Sequence, residues 1–265
     1  RMDSSVAMLL TTNDPALPRE RLVEAGGTHR FTKYVPFPAF KTTIENYPYP
    51  YVHSGRLWEM PFVVPSDWES QNIQGDSSPR LLEDWTAALD LIAVKQGVFN
   101  FIFHPARWSS PTQHVAFIEH AVKTLGSRVR FLNYREAHER LTMHLLAGQP
   151  LRAADGGDNG VRLIDLDGDG YLDVVIGNAQ VRRTRVWLPQ TRSWKETSFP
   201  VSLVDDGGAA GADRDAGVRF GIVHPGGEVS CLVRNGRVAG AWTFRDGAWS
   251  EDPALLNGLE VDGRV

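Results

Sequence analysis

Asp165, Asp167, Asp169 and Asp173 stand in the run Asp-Leu-Asp-Gly-Asp-Gly-Tyr-Leu-Asp. Alternate carboxylates with glycines between them let a short loop curl round a hard cation and present oxygens, with the Tyr171 carbonyl as a fifth ligand. The spacing predicts a calcium loop with a structural role. An EF-hand would need a bidentate Glu at the twelfth loop position and a helix after it; that position is Ile176, inside an apolar, β-branched stretch over residues 172–178. The loop therefore runs into a strand. The competing reading is a polar turn with four solvated aspartates, which like-charge repulsion disfavours unless something neutralises them.

A second set of chemistry-bearing residues depends on the elements that hold it. Residues 61–65, 98–103 and 129–132 have the short apolar character of buried strands, and a helix signal follows each. The first helix has Ser78 as N-cap, Pro79 at its first position, an apolar stripe of Leu81, Trp85, Ala88, Leu89 and Ile92, and Gly97 beyond its end. The second repeats the device with Ser110 and Pro111, then Val115, Ile118, Ala121, Val122 and Leu125, closing at Gly126. The third starts at Asn133 with a capping-box Glu136. Three successive strand-helix units imply a parallel sheet, open or closed into a barrel.

In such folds, polar residues just after the strands gather on one rim, where sites are built. Asp67, followed by Trp68, occupies that position after the first strand, and His104 after the second. An imidazole there can move protons; equally, it can bond a loop carbonyl, and Asp67 can cap a turn. His114 and His120 are six residues apart on one helix, as are His138 and His144 on another, so neither pair shares a face as metal ligands would. These four are expected to be solvated. The Tyr47-Pro48-Tyr49-Pro50-Tyr51 run either offers rings to a sugar or packs down as an extended loop.

Composition narrows the classes. With 265 residues, 42% hydrophobic and 23% charged, the chain is long enough for one large domain or two ordinary ones. A net charge of −4 and a pI near 6.1 offer no surplus for phosphate, so nucleic acid is excluded as an expected partner. No apolar run reaches membrane-spanning length. The lone Cys231 reads as a small buried hydrophobe. The pattern changes near Pro150, where helical periodicity gives way to short β runs; residues 146–160 read as a linker, dividing the chain into 1–147 and 148–265.

Val64-Pro65-Ser66-Asp67-Trp68, Phe101-Ile102-Phe103-His104-Pro105, Phe117-Ile118-Glu119-His120-Ala121, Val129-Arg130-Phe131-Leu132 and Arg135-Glu136-Ala137 together resemble the C-terminal half of a polysaccharide deacetylase of the NodB-homology type. That resemblance implies a deformed, here partial, (β/α) barrel and metal-dependent hydrolysis of N- or O-acetyl groups on a glycan. His104 would match the strand-end histidine that protonates the leaving group, and Asp67 and Trp68 the Asp-Trp motif that lines the groove and tunes it. The family's earlier motifs, an Asp-Asp base and ligand run and a His-x-x-x-His metal pair, have no counterpart before Phe62. The ligands of a catalytic metal such as zinc are thus not in this chain. The chain is expected to be a piece of a longer protein and incomplete as a catalyst by itself.

The second half carries an internal repeat. Gly160-Val161-Arg162-Leu163 recurs as Gly217-Val218-Arg219-Phe220 and Asn178 as Asn235; 217 less 160 and 235 less 178 are both 57. Arg185-Val186-Trp187 is answered by Gly240-Ala241-Trp242 and Ser193-Trp194 by Ala248-Trp249, at 55. Repeats of this length, built of short strands and turns, read as propeller blades. Ile222, His224, Gly226 and Ser230 fall where the four aspartates would recur, so one metal site is expected. The aspartate loop flowing into Val-Val-Ile-Gly-Asn is similar to FG-GAP or VCBS repeats of integrin-like β-propellers, in which calcium pins an interstrand loop. Two blades cannot close a propeller, so further material is expected to complete it.

The sequence as a whole points to an α/β plus all-β chain from an extracytoplasmic, periplasmic or secreted, carbohydrate-processing protein, with a glycan substrate and a propeller able to take a protein partner. The alternative is a non-catalytic, calcium-dependent adhesion or binding protein on a degenerate barrel.

Overall fold

A computed structural model describes residues 2–35, 42–53, 57–205 and 215–257. The chain divides into two compact units, residues 2–53 with 57–133, and residues 134–257.

In the first unit, β1 (Met2–Asp3), β5 (Leu57–Glu59) and β4 (Tyr51–His53) form one three-stranded sheet, with β1 parallel and β4 antiparallel to β5. A second sheet is wholly parallel: β2 (Val6–Leu9) lies between β3 (Thr42–Glu45) and β6 (Phe62–Val63). Phe62 extends this ladder through a single parallel bridge to Asn100. The helices are the short α1 (Arg19–Leu22), α2 (Asp67–Gln74), α3 (Pro79–Lys95) and α4 (Pro111–Leu125). Ala7, Met8 and Val63 of the parallel sheet, with Leu10 and Val64 just beyond its strands, pack with Ala87, Ala88, Leu91 and Ile92 of α3 and with Phe31 and Tyr34. Trp85, Leu81 and Leu89 on the other flank of α3 meet Phe117 and Ala121 of α4.

No closed barrel is formed among the described residues. Of the three expected strands, residues 62–63 form β6, residues 98–103 contribute one bridge, and residues 129–132 form none. A strand exists only by pairing; with no ladder partner among the described residues, Phe131 and Leu132 stand 59% and 45% exposed. The helix starts follow their local signals. Ser110 accepts from the Gln113 N–H and the Gln113 side chain accepts from the Ser110 N–H, a full capping box.

The second unit opens with α5 (Tyr134–Arg140), which passes into a π-helical turn over Leu141–Leu145. Two four-stranded antiparallel meanders follow: β7 (Val161–Ile164), β8 (Asp173–Gly177), β9 (Arg182–Leu188) and β10 (Ser193–Ser198), then β11 (Arg219–Ile222), β12 (Val229–Arg234), β13 (Ala239–Arg245) and β14 (Ala248–Glu251). This is the strand order of propeller blades. The contact boundary falls after Asn133 instead of after residue 147. The physical reason lies in Arg185, whose guanidinium donates to the His144 and Leu145 carbonyls, stacks 4.5 Å over Trp194 and pairs with Glu196. Residues 146–160 are not a free linker either: Leu146 and Leu151 are buried, and the Asn159 N–H donates to the Leu151 carbonyl.

Ladder pairs fix the repeat's register. Val174 faces Arg185 and Cys231 faces Trp242, so Trp242 is the counterpart of Arg185, and Phe244 that of Trp187. The spacing of 57 thus persists through β9 and β13, correcting the Trp187-to-Trp242 match. The shortening falls in the next hairpin, where Asp246-Gly247 replaces residues 189–192. Asp246 and Gly247 have φ of 53° and 79°, the left-handed pair that a two-residue type I′ turn requires.

Candidate functional sites

Asp67 begins α2 directly after β6, and its side chain is fully buried. Its two oxygens hold one residue at two points: Oδ2 accepts the His104 backbone N–H at 2.7 Å, and Oδ1 lies 2.8 Å from His104 Nδ1. The parallel ladder explains the meeting. Phe62 pairs with Asn100, so the chain segments leaving these two residues emerge side by side and bring Asp67 to His104. An ionised carboxylate only accepts, so Nδ1 carries the hydrogen and Nε2 is left as the ring's working atom. The His104 side chain is 44% exposed, so solute can reach it.

Trp68, expected beside this pair, is half-buried on α2, where its carbonyl accepts from Asn72. The ring against His104 is that of Trp108, 4.9 Å between centroids. Trp108 was missed at the level of sequence, and so was Ser109. The Ser109 hydroxyl lies 3.4 Å from Asp67 Oδ2 and 2.8 Å from His114 Nε2. His114 is not solvated as expected: its ring packs against Phe103, Phe101 and Trp85 at 4.5, 5.8 and 5.7 Å. Burial lowers its pKa, opposed by the Asp67 charge. His120 is also paired, with Asp90 at 3.0 Å. Tyr47 packs edge-on to Tyr49 and Tyr51, and the Tyr49 hydroxyl donates to the Lys95 carbonyl.

In the second unit, carboxylate oxygens of Asp165, Asp167 and Asp173 lie within 4.8 Å of one another. Gly168 and Gly170, at φ of 76° and 86°, let the loop fold back so that both donate backbone N–H groups to Asp165. Asp173, at the start of β8, is fully buried and accepts the Leu166 and Trp187 N–H groups at 3.0 and 2.8 Å. Burial pushes its carboxyl up to about 7; the two N–H bonds oppose the rise, and Asp167 and Asp169 add to it. Burial and the neighbouring aspartates also raise Asp169, against the Tyr171 N–H that it accepts. Asp169 stands outside the converged trio, and the Tyr171 contact seen here is through its N–H. The trio has the spacing to hold a hard divalent cation, with its carboxylate oxygens within 4.8 Å of one another and its buried member pushed toward the neutral form by burial.

The second sheet solves the same position differently. Ser230, the counterpart of Asp173, bonds Thr243 at 2.9 Å; Thr243 donates to Asp252, which lies 2.8 Å from His224 Nε2. Cys231 is fully buried in β12, where burial pushes its thiol up to about 12 and leaves it inert.

A family model described as FG-GAP repeat matches residues 159–188, from the turn before β7 through β9. The match supports the FG-GAP part of the resemblance and propeller-like repeats in the second unit; the polysaccharide deacetylase part draws no support from it. No curated protein and no solved structure matches the chain significantly. No helix among the described residues is long and apolar enough to cross a membrane.

Proposed function

We propose that the first unit supplies a proton-transfer site for hydrolysis of acyl groups on a glycan, in the manner of polysaccharide deacetylases, and that the second is a calcium-held FG-GAP module that binds glycan or a protein partner. The observation carrying the reading is the double hold of a buried Asp67 on a solvent-reachable His104. A carboxylate on Nδ1 stabilises an imidazolium whose Nε2–H can be given to a departing amine or alcohol, the chemistry of a general acid. Trp108 beside the ring offers an apolar face to a sugar. Chemistry of this kind also takes a divalent metal such as zinc, but the carboxylates able to gather on a metal among the described residues are those of the other unit. The residues beside His104 do not fit such a centre, so the acid role rests on this chain's own groups.

Acetate release from acetylated chito-oligomers, assayed with zinc or cobalt in the full-length protein, tests the reading. Release that His104→Ala abolishes supports it; no release from the unsubstituted protein ends it. A second reading, non-catalytic calcium-dependent adhesion or binding, is favoured by the FG-GAP match and by the converging carboxylates. It predicts glycan or protein binding that a chelator removes, with His104→Ala without effect. Under both readings the loop holds a structural calcium through Asp165, Asp167 and Asp173, with Asp169 and the Tyr171 carbonyl completing the shell, and the protein works outside the cytoplasm, where calcium is plentiful. Terbium luminescence sensitised by Tyr171 should appear, be competed away by calcium, and vanish in Asp167→Ala.

A further inference from the structure

Asp67 has a second side-chain neighbour behind it, and one hydrogen-bond arrangement of that neighbour gives the carboxylate a donor besides His104. Both contacts first described for Asp67 come from His104. A donor outside His104 would fix the carboxylate and the ring more firmly against the fold. Ser109 is the group placed to do so. It is 8% exposed and lies between Asp67 Oδ2 at 3.4 Å and His114 Nε2 at 2.8 Å. Its hydroxyl has one hydrogen and two neighbours that could take it. If the hydrogen went to His114, Asp67 would lose its only side-chain donor other than His104 among these contacts. If His114 carries its hydrogen on Nε2 and donates to Ser109, the hydroxyl hydrogen is free for Asp67, whose Oδ2 then has a donor besides His104.

The fold holds His114 for that task. It sits in the first turn of α4, where its N–H donates to the Ser110 carbonyl, and its ring is walled by Phe103, Phe101 and Trp85. Trp85 is itself pinned by its indole N–H to the Pro65 carbonyl, two residues before Asp67. We propose that Ser109 and His114 are positioning residues for His104: the His114 Nε2–H turns the Ser109 hydroxyl onto Asp67 Oδ2, which fixes the carboxylate and so keeps His104 in its Nδ1–H form with Nε2 presented outward. The pair touches no reacting atom. Its importance to catalysis rests on the acid role proposed for His104, whereas the hydrogen-bond relay itself does not.

Nitrogen-15 NMR of the histidine rings in the full chain tests the relay without an enzyme assay. In the unsubstituted protein, His114 should read as the Nε2–H tautomer and His104 as the Nδ1–H tautomer. Ser109→Ala should raise the minor Nε2–H form of His104 by roughly two- to tenfold, the factor one ordinary net hydrogen bond is worth. Ser109→Thr, which keeps the hydroxyl, should restore it. A purely packing role for Ser109 would leave the His104 tautomer unmoved. His114 found as the Nδ1–H tautomer overturns the proposal by itself, with no substitution needed, so a variant that fails to fold does not shield it. An unchanged His104 in folded Ser109→Ala overturns it too. A relay that responds in a protein releasing no acetate would leave this inference standing while the hydrolytic reading falls.

Discussion

Asp173 joins two demands on one carboxyl. It accepts two backbone N–H groups, which favour its charge, yet it is fully buried beside other aspartates, and burial prevails, pushing it up to about 7 from an ordinary value of 3.8. A group raised on folding contributes stability that is fully present below its unfolded value and is lost as pH rises through the folded one. In chelator, the second unit should therefore lose on the order of 4 kcal/mol as pH rises from about 4 to about 8. Calcium should restore most of this at pH 8 and little at pH 5. Urea unfolding at the two pH values, with and without calcium, measures it, and Asp173→Asn should flatten the metal-free profile. The spacing of the aspartates made the convergence of Asp165, Asp167 and Asp173 legible in the sequence, because a short loop is local. Ser109, Trp108 and His114 were not legible: what matters about them is which way buried side chains turn once α3 and α4 have packed, and no spacing along the chain records that.

Elements were readable where their signals are local. Ser78-Pro79 and Ser110-Pro111 mark the starts of α3 and α4 at the observed residues, because a cap and a proline act within one turn. The buried face of α4 was not readable. The aliphatic stripe that the sequence offers, Val115, Ile118 and Val122, stands 54%, 48% and 52% exposed, and only Ala121 of the expected stripe is fully packed. The helix instead turns Gln113, Phe117 and Ala121 inward, because Trp85 and Phe101 provide an aromatic wall that Phe117 meets edge-on at 5.9 Å and stacked at 5.4 Å respectively. Phe117→Ala should cost about 3–5 kcal/mol through the cavity it leaves. Ile118→Gln should stay within about 0.5 kcal/mol, as an exposed position does. Ser110→Ala, which removes half of the capping box, should cost about 1 kcal/mol. Denaturant midpoints of the first unit rank the three, and a larger loss for Ile118→Gln than for Phe117→Ala would show that the face has been assigned the wrong way round.

Over the whole molecule, the repeat goes deeper than its sequence signature. Asp158 caps the Gly160 N–H and pairs with Arg162, and Asp215 does the same for Gly217 and Arg219. Asn178 bonds the Asn159 carbonyl, as Asn235 bonds that of Ala216. Gly160 explains why the motif starts with glycine: at φ 66°, a Cβ there would lie 2.3 Å from the Gly177 carbonyl oxygen. The two sheets also share one core, in which Val175, Val186 and Phe199 pack with Val218, Cys231 and Phe244, and the Trp249 indole reaches across to the buried Thr184 hydroxyl at 2.8 Å. A shared core makes the two sheets one cooperative unit, whereas the first unit has cores of its own. Calorimetry should thus show two transitions. Calcium at a hundred times its dissociation constant should stabilise one of them by about 2.7 kcal/mol and leave the other in place. Thr184→Val, which strands the Trp249 N–H, should lower that same calcium-responsive transition as a whole by about 1–3 kcal/mol. Were it to split off a separate β11–β14 transition instead, the sheets would be folding as independent blades, and the calcium held by the first could not support the second.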